Sequence, residues 1–141
     1  MKITSQPLVF LDTTDSRKLE VYISSNHPTI QVYDVNDKTY TPNWGKTNLK
    51  LSADVFLDST EIKPEKIMWY RQYINETTET QVSSGAYTEE INVNSNMTQS
   101  VVTYICRVEY QSLTSFAKIT FTRTDTGLNG TDGKDGTSVR I

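Results

Sequence analysis

Apolar and polar positions alternate along most of this chain at a period of two, the spacing of a strand with one buried face. The longest such run is Val101 to Tyr110, VVTYICRVEY. Val102, Tyr104, Cys106 and Val108 fall on one side of it, and Thr103, Ile105, Arg107 and Glu109 on the other. A second run, Leu49 to Leu57, sets Leu49, Leu51, Ala53, Val55 and Leu57 against Lys50, Ser52 and Asp54. Shorter runs follow the same rule. Lys18 to Ser24 groups Leu19, Val21 and Ile23. In KIMWYRQ, Ile67 and Trp69 point in while Met68 and Tyr70 point out; Tyr87 to Val93 contributes Ile91 and Val93, and Phe116 to Arg123 contributes Ala117, Ile119 and Phe121. Pro28 suits the start of an edge strand that turns Ile30 and Val32 inward, because proline has no backbone donor to offer a neighbour. Lys2 to Phe10 reads as a further extended segment, followed by the turn residues Asp12 to Ser16. Polar stretches separate the runs: Asp34 to Asp37, Asp58 to Pro64, Asn75 to Ser84 with a weak edge pairing at Val82, Asn94 to Gln99, and the hairpin loop Ser112 to Ser115. No stretch carries the 3.6 period of a helix longer than one turn.

These elements predict an all-β fold, an antiparallel sandwich. Tyr104 two residues before Cys106, with Trp69 on a preceding strand, resembles the core of an immunoglobulin-like domain, where a tryptophan packs near a strand cysteine and a tyrosine closes the corner. The departure is informative. The strand that should carry the partner cysteine has Ala53 in its place, and Cys106 is the only cysteine in 141 residues, so no internal disulfide can form. Cys106 therefore reads as a small buried apolar side chain, and packing alone must hold the fold, as suits a protein folded in a reducing compartment. Ala53, Trp69, Tyr104 and Cys106 are the expected centre of the core. Three regions follow: an extended docking segment over residues 1–24, the sandwich over 25–124, and a tail over 125–141.

The tail differs in composition. Gly127, Gly130, Gly133 and Gly136 recur at intervals of three and make up four of the six glycines in the chain. Period-three glycine is the requirement of a collagen triple helix, where only glycine fits at the axis shared by three chains. On that reading the full-length protein is a homotrimer and these glycines begin its stalk, with Lys134 and Asp135 available for pairing between chains. The other reading is a flexible Gly/Asp/Ser linker, which the lack of proline favours. SVRI at the end reads as the start of another strand, with more protein expected beyond Ile141.

Charge and chemistry narrow the function by exclusion. A net charge of -3 with both signs mixed gives no basic footprint for a phosphate backbone, so nucleic acid is not an expected partner. No apolar stretch is long enough to cross a bilayer, and the N-terminal one is too short for a signal peptide, so no membrane partner is expected. His27 is the only histidine and stands beside Pro28 at a strand start, away from Cys106. No Cys/His pair, zinc spacing, calcium loop or phosphate-binding glycine turn can be assembled, so neither a metal nor another cofactor is expected and the chain is not read as an enzyme. Asp34 and Asp37 read as turn caps. Asn75, Asn96 and Asn129 open Asn-x-Thr triplets, which a chain rich in Asn and Thr produces by chance. What remains is aromatic. Trp44 in YTPNWG, Tyr40, Tyr70 and Tyr73 are candidates for contact with a glycan or partner, since exposed rings stack on sugars and anchor interfaces. For Trp44 the competing reading is a ring folded over the end of the sandwich.

An immunoglobulin-like domain without its disulfide, opened by ITSQPLVFLDTTDSRKLEVYISSNHPTIQVYD and KTYTPNWGKTNLKLS and followed by glycine triplets, resembles the tail-fibre and baseplate (antireceptor-type) proteins of phages that infect Gram-positive cocci. The resemblance implies a virion tail protein that links the tail to a distal receptor-binding or wall-degrading part, with other tail and baseplate proteins as partners. It also leaves room for host adhesion through a carbohydrate-binding domain that takes cell-wall polysaccharide. A bacterial surface adhesin module is a further alternative.

Overall fold

The alternating runs become strands in the computed structural model, which describes residues 16–127. Among these the strands are β1 (Leu19–Ser25), β2 (Ile30–Asp34), β3 (Thr39–Thr41), β4 (Leu49–Leu57), β5 (Thr60–Glu61), β6 (Lys66–Tyr73), β7 (Thr80–Gln81), β8 (Glu90–Val93), β9 (Val101–Tyr110) and β10 (Leu113–Thr126), and none of the described residues is helical. They form two sheets. The larger runs β3-β2-β10-β9-β6-β7; the smaller joins β1 to one side of β4, and β5 and β8 to its other side. All pairings between these strands are antiparallel except β2 with β10, which run parallel from Ile30 beside Thr122 to Asp34 beside Thr126.

The two inner faces supply the core. Val102, Tyr104, Cys106 and Val108 of β9, Ile67 and Trp69 of β6 and Phe121 of β10 face Val21 of β1, Leu49, Leu51 and Val55 of β4 and Ile91 of β8, all of them buried. Cys106 stands in register with Trp69 on one side and Ala117 on the other. Ala53 is partly buried against the same cluster. The fold is the expected all-β sandwich, closed across its sheets by side-chain packing where a disulfide would otherwise lie.

Four features depart from the sequence reading. First, β1 is no separate docking strand: it pairs with β4 along its whole length, from Leu19 beside Leu57 to Ser25 beside Leu51, because its apolar face of Leu19, Val21 and Ile23 closes the smaller sheet. The boundary expected at residue 24 therefore falls inside the sandwich, and Lys2 to Phe10 lie outside the described residues. Second, β2 presents the opposite face. Ile30 is 52% exposed and Gln31 fully buried. The Gln31 amide is satisfied in full. It donates to the Pro42 carbonyl (2.9 Å) and to Asn96 Oδ1 (2.8 Å), and accepts the Met97 N–H (2.9 Å). Asn96 Oδ1 also receives the Trp44 N–H (2.7 Å), and Asn96 Nδ2 donates to Asn43 Oδ1 (3.3 Å). A buried amide with such partners carries little penalty, so the parallel register decides the face.

Third, the β9–β10 hairpin is tighter than the loop predicted over Ser112 to Ser115. Gln111 and Ser112, with φ of 47° and 70°, make a two-residue turn that sets Tyr110 beside Leu113. Fourth, Gly127 has φ of 85°, left-handed backbone rather than the extended polyproline form of a collagen chain. A Cβ there would lie 2.5 Å from Asp34 Oδ1. The first of the four spaced glycines thus packs on the end of the sandwich; Gly130, Gly133 and Gly136 lie outside the described residues.

Candidate functional site

His27, Asp34 and Cys106, the groups weighed for chemistry, each have a structural occupation. The His27 Nε2–H donates to the Thr47 carbonyl (2.8 Å), and Asp34 Oδ1 accepts the backbone N–H groups of Asn36 (2.9 Å) and Asp37 (3.1 Å), as a turn cap does. Cys106 is fully buried, and burial pushes its thiol up to about 12. Among the described residues no three His, Cys, Asp or Glu side chains gather as metal ligands, and no helix is long and apolar enough to cross a membrane.

The four aromatic candidates do not converge. Trp44 is 1% exposed, with its ring edge-on to Phe121 at 5.4 Å, so it is a core residue and offers no platform for stacking a sugar. Tyr40 packs against Tyr33 (4.6 Å between ring centres) with the Arg123 guanidinium over both rings. Tyr73 shares the phase of Ile67 and Trp69 and packs against the core, whereas the sequence reading offered it with Tyr70 as a contact for a glycan or partner. Only Tyr70 lies on the outer face of the larger sheet.

That face holds a surface groove. Met68 and Tyr70 of β6, Arg107 and Glu109 of β9 and Thr114 and Phe116 of β10 line it, and its volume is about 530 Å³. Arg107 is fixed by two bonds to Glu79, Nε at 3.1 Å and Nη2 at 2.7 Å, and lies over the rings of Tyr70 (5.8 Å) and Phe116 (5.2 Å). Phe116 is 54% exposed. Ile105 lies on this outer side too, yet is fully buried between its register neighbours Tyr70 and Lys118. Sequence reasoning missed Phe116 and Arg107. The signal was present, because Phe116 is out of phase with the inward Ala117, Ile119 and Phe121.

The ends of the sandwich are the other surfaces that matter. Arg17 Nη1 donates to Gln111 Oε1 (2.6 Å), and Lys18 and Asp58 exchange two bonds through the Lys18 N–H and carbonyl, each 2.9 Å. At the other end the Thr126 carbonyl accepts the Val35 N–H (2.8 Å), and Gly127 lies against Asp34 and Asn36. Comparison with protein-family models, with curated proteins and with solved structures returned no match.

Proposed function

We propose that this sandwich is a spacer module of an elongated phage tail protein, of the tail-fibre or baseplate kind, which links the tail to a distal receptor-binding or wall-degrading part. The observation that carries the reading is where the chain enters and leaves. It enters at the pole made by the Gln111 and Asp58 turns, where Arg17 and Lys18 are held, and leaves at Gly127, at the far end of β10. The 14 residues of β10 cover about 45 Å at the rise of an extended strand. A module with inlet and outlet at opposite poles lengthens a chain by its own span. One with both at the same pole would hang from it as a side branch.

In this reading the partners are neighbouring tail proteins, the protein is a virion component, and no catalysis is asked of the domain. The glycine triplets beyond Gly127 would gather three chains into a homotrimer. A second reading, recognition of cell-wall polysaccharide, has one observation behind it, the Tyr70–Arg107–Phe116 groove. Titration with cell-wall polysaccharides from several Gram-positive cocci, followed by calorimetry, separates the two. The spacer reading expects no saturable heat, and a distance of about 45 Å between spin labels placed at Ser16 and Thr126. Saturable binding lost in Tyr70→Ala or Phe116→Ala would replace it with glycan recognition.

A further inference from the structure

Along β6, Ile67, Trp69, Arg71 and Tyr73 turn to the inner side of the sandwich at every second residue. Three of them suit a core; the other is an arginine. Arg71 stands in register with Tyr104 of β9, and its guanidinium carbon is 4.7 Å from the centre of the Tyr73 ring. Its Nε is buried with no acceptor. Other arginines among the described residues are matched: Arg107 by the Glu79 carboxylate, and Arg123 by Asp125 (2.9 Å) and the Met97 carbonyl (2.9 Å). No described carboxylate or carbonyl answers Arg71.

A second donor shares its situation. Trp44, 1% exposed, has an indole Nε1–H without an acceptor, whereas Trp69 Nε1 donates to the Thr88 carbonyl at 2.8 Å. Trp44 and Arg71 line one cavity of about 90 Å³, together with Tyr73, Tyr104 and Asn96. Arg71 and Tyr104 also line a neighbouring hollow of about 190 Å³ against Ile91 and Val93 of β8. The Tyr104 hydroxyl makes no hydrogen bond among the described residues. Burial first, and then Tyr73, push it up to about 12, with Arg71 pulling the other way, which places all three groups within electrostatic reach.

The chemistry of an occupant follows from this set of donors. One water would satisfy an N–H, but the cavity exceeds the roughly 10–15 Å³ that one water needs, and the half-buried Arg71 brings a positive charge to it. Two nitrogen donors, one of them charged, and a phenol hydroxyl select an oxyanion. A planar carboxylate fits the arginine fork and keeps lone pairs for the indole and the phenol. We propose that this cavity binds the carboxylate of a small organic acid, held by Arg71 with the Trp44 Nε1–H and the Tyr104 hydroxyl, the neighbouring hollow seating the rest of the molecule.

The test uses the two indole N–H resonances of the 15N-labelled protein, assigned with Trp44→Phe. Sodium acetate and then sodium glucuronate are titrated at constant ionic strength against sodium chloride. The Trp44 signal should move saturably while that of Trp69, already bonded, stays in place. Arg71→Lys should weaken the response at least about tenfold, the scale of one charged hydrogen bond. Arg71→Leu should abolish it while leaving the melting temperature level or higher, because a buried Nε–H without an acceptor has been removed. That melting curve also shows whether the variant has folded. A Trp44 signal that neither acid moves, or that moves equally in folded Arg71→Leu, overturns the site. Saturation by sodium phosphate at lower concentration than by either acid overturns the choice of a carboxylate.

Discussion

Cys106 stands where a cross-sheet bridge would be anchored, and its burial has a cost that only alkali reveals. Its thiol is pushed from an ordinary value of 9.0 up to about 12, and the Tyr104 phenol from 10.0 up to about 12, with burial the main cause in both. The unfolded chain ionises at the ordinary values, so the folded state holds these protons longer. A raised folded value gives a contribution fully present below the unfolded one, pH 9.0 for the thiol and 10.0 for the phenol, and lost as pH rises towards 12. Urea denaturation should therefore show level stability from neutral pH to about 9, then a fall. Tyr104→Phe should flatten the upper part of that fall and Cys106→Val the lower; a curve unaffected by either would contradict the assignment. At this scale the core was legible. Val102, Tyr104, Cys106, Val108, Ile67 and Trp69 all face inward as their period requires. Gln31 and Arg71 were not, because a period of two sorts side chains into faces without naming the inner one, and a polar residue on the buried face reads as surface. Trp44 was undecided for another reason: it lies outside any run, and its place inside is set by the Asn96 bond to its backbone N–H and by packing on Phe121, neither of which a period announces.

Strands long enough to show a period were legible as elements, and β4 and β6 match the sequence reading closely. The two-residue β5 and β7 carry too little pattern to announce themselves. They exist because β4 and β6 have backbone groups left to pair, as in Leu57 beside Thr60 and Tyr70 beside Gln81. Tight turns were also missed. Their usual signal is Asn-Gly or Asp-Gly, whereas here Asp58-Ser59 (φ of 50° and 72°) and Gln111-Ser112 (47° and 70°) hold left-handed backbone without glycine. Relief of that strain should be measurable. Ser59→Gly and Ser112→Gly are each expected to stabilise by about 1 kcal/mol, read as a raised urea midpoint at unchanged slope. Gly127→Ala should act in the opposite sense by roughly 1–3 kcal/mol, because φ of 85° and the approach to Asp34 both exclude a Cβ. Equal effects at the three sites would mean that the backbone is not what decides them.

Over the whole molecule, the sequence showed that two sheets must meet and left open which strands would be neighbours. The parallel β2–β10 pair is the clearest case. Alternation does not encode direction, and the crossing from β1 to β2 at Asn26 to Thr29 is what turns the chain onto the other sheet. That pair lies on the load path from pole to pole. Tension at Arg17 and Gly127 draws β10 past β2 along their common axis, so the ladder bonds of five register pairs bear it together. Tension between Lys18 and Asp58 would instead open β1 from β4 one pair at a time. Force spectroscopy should find a higher unfolding force in the first geometry than in the second. Equal forces would remove the mechanical argument for a spacer. The outlet pole carries one more consequence, which concerns the route of manufacture. Asn96 opens an Asn-Met-Thr triplet, and its carboxamide ties β2, the Trp44 loop and the β8–β9 corner together. The nitrogen that would carry an N-linked sugar is the one already given to Asn43. A secretory host that glycosylates nascent chains would attach its sugar before this knot is tied and leave one end of the sandwich unable to close. A bacterial cytosol imposes no such order of events.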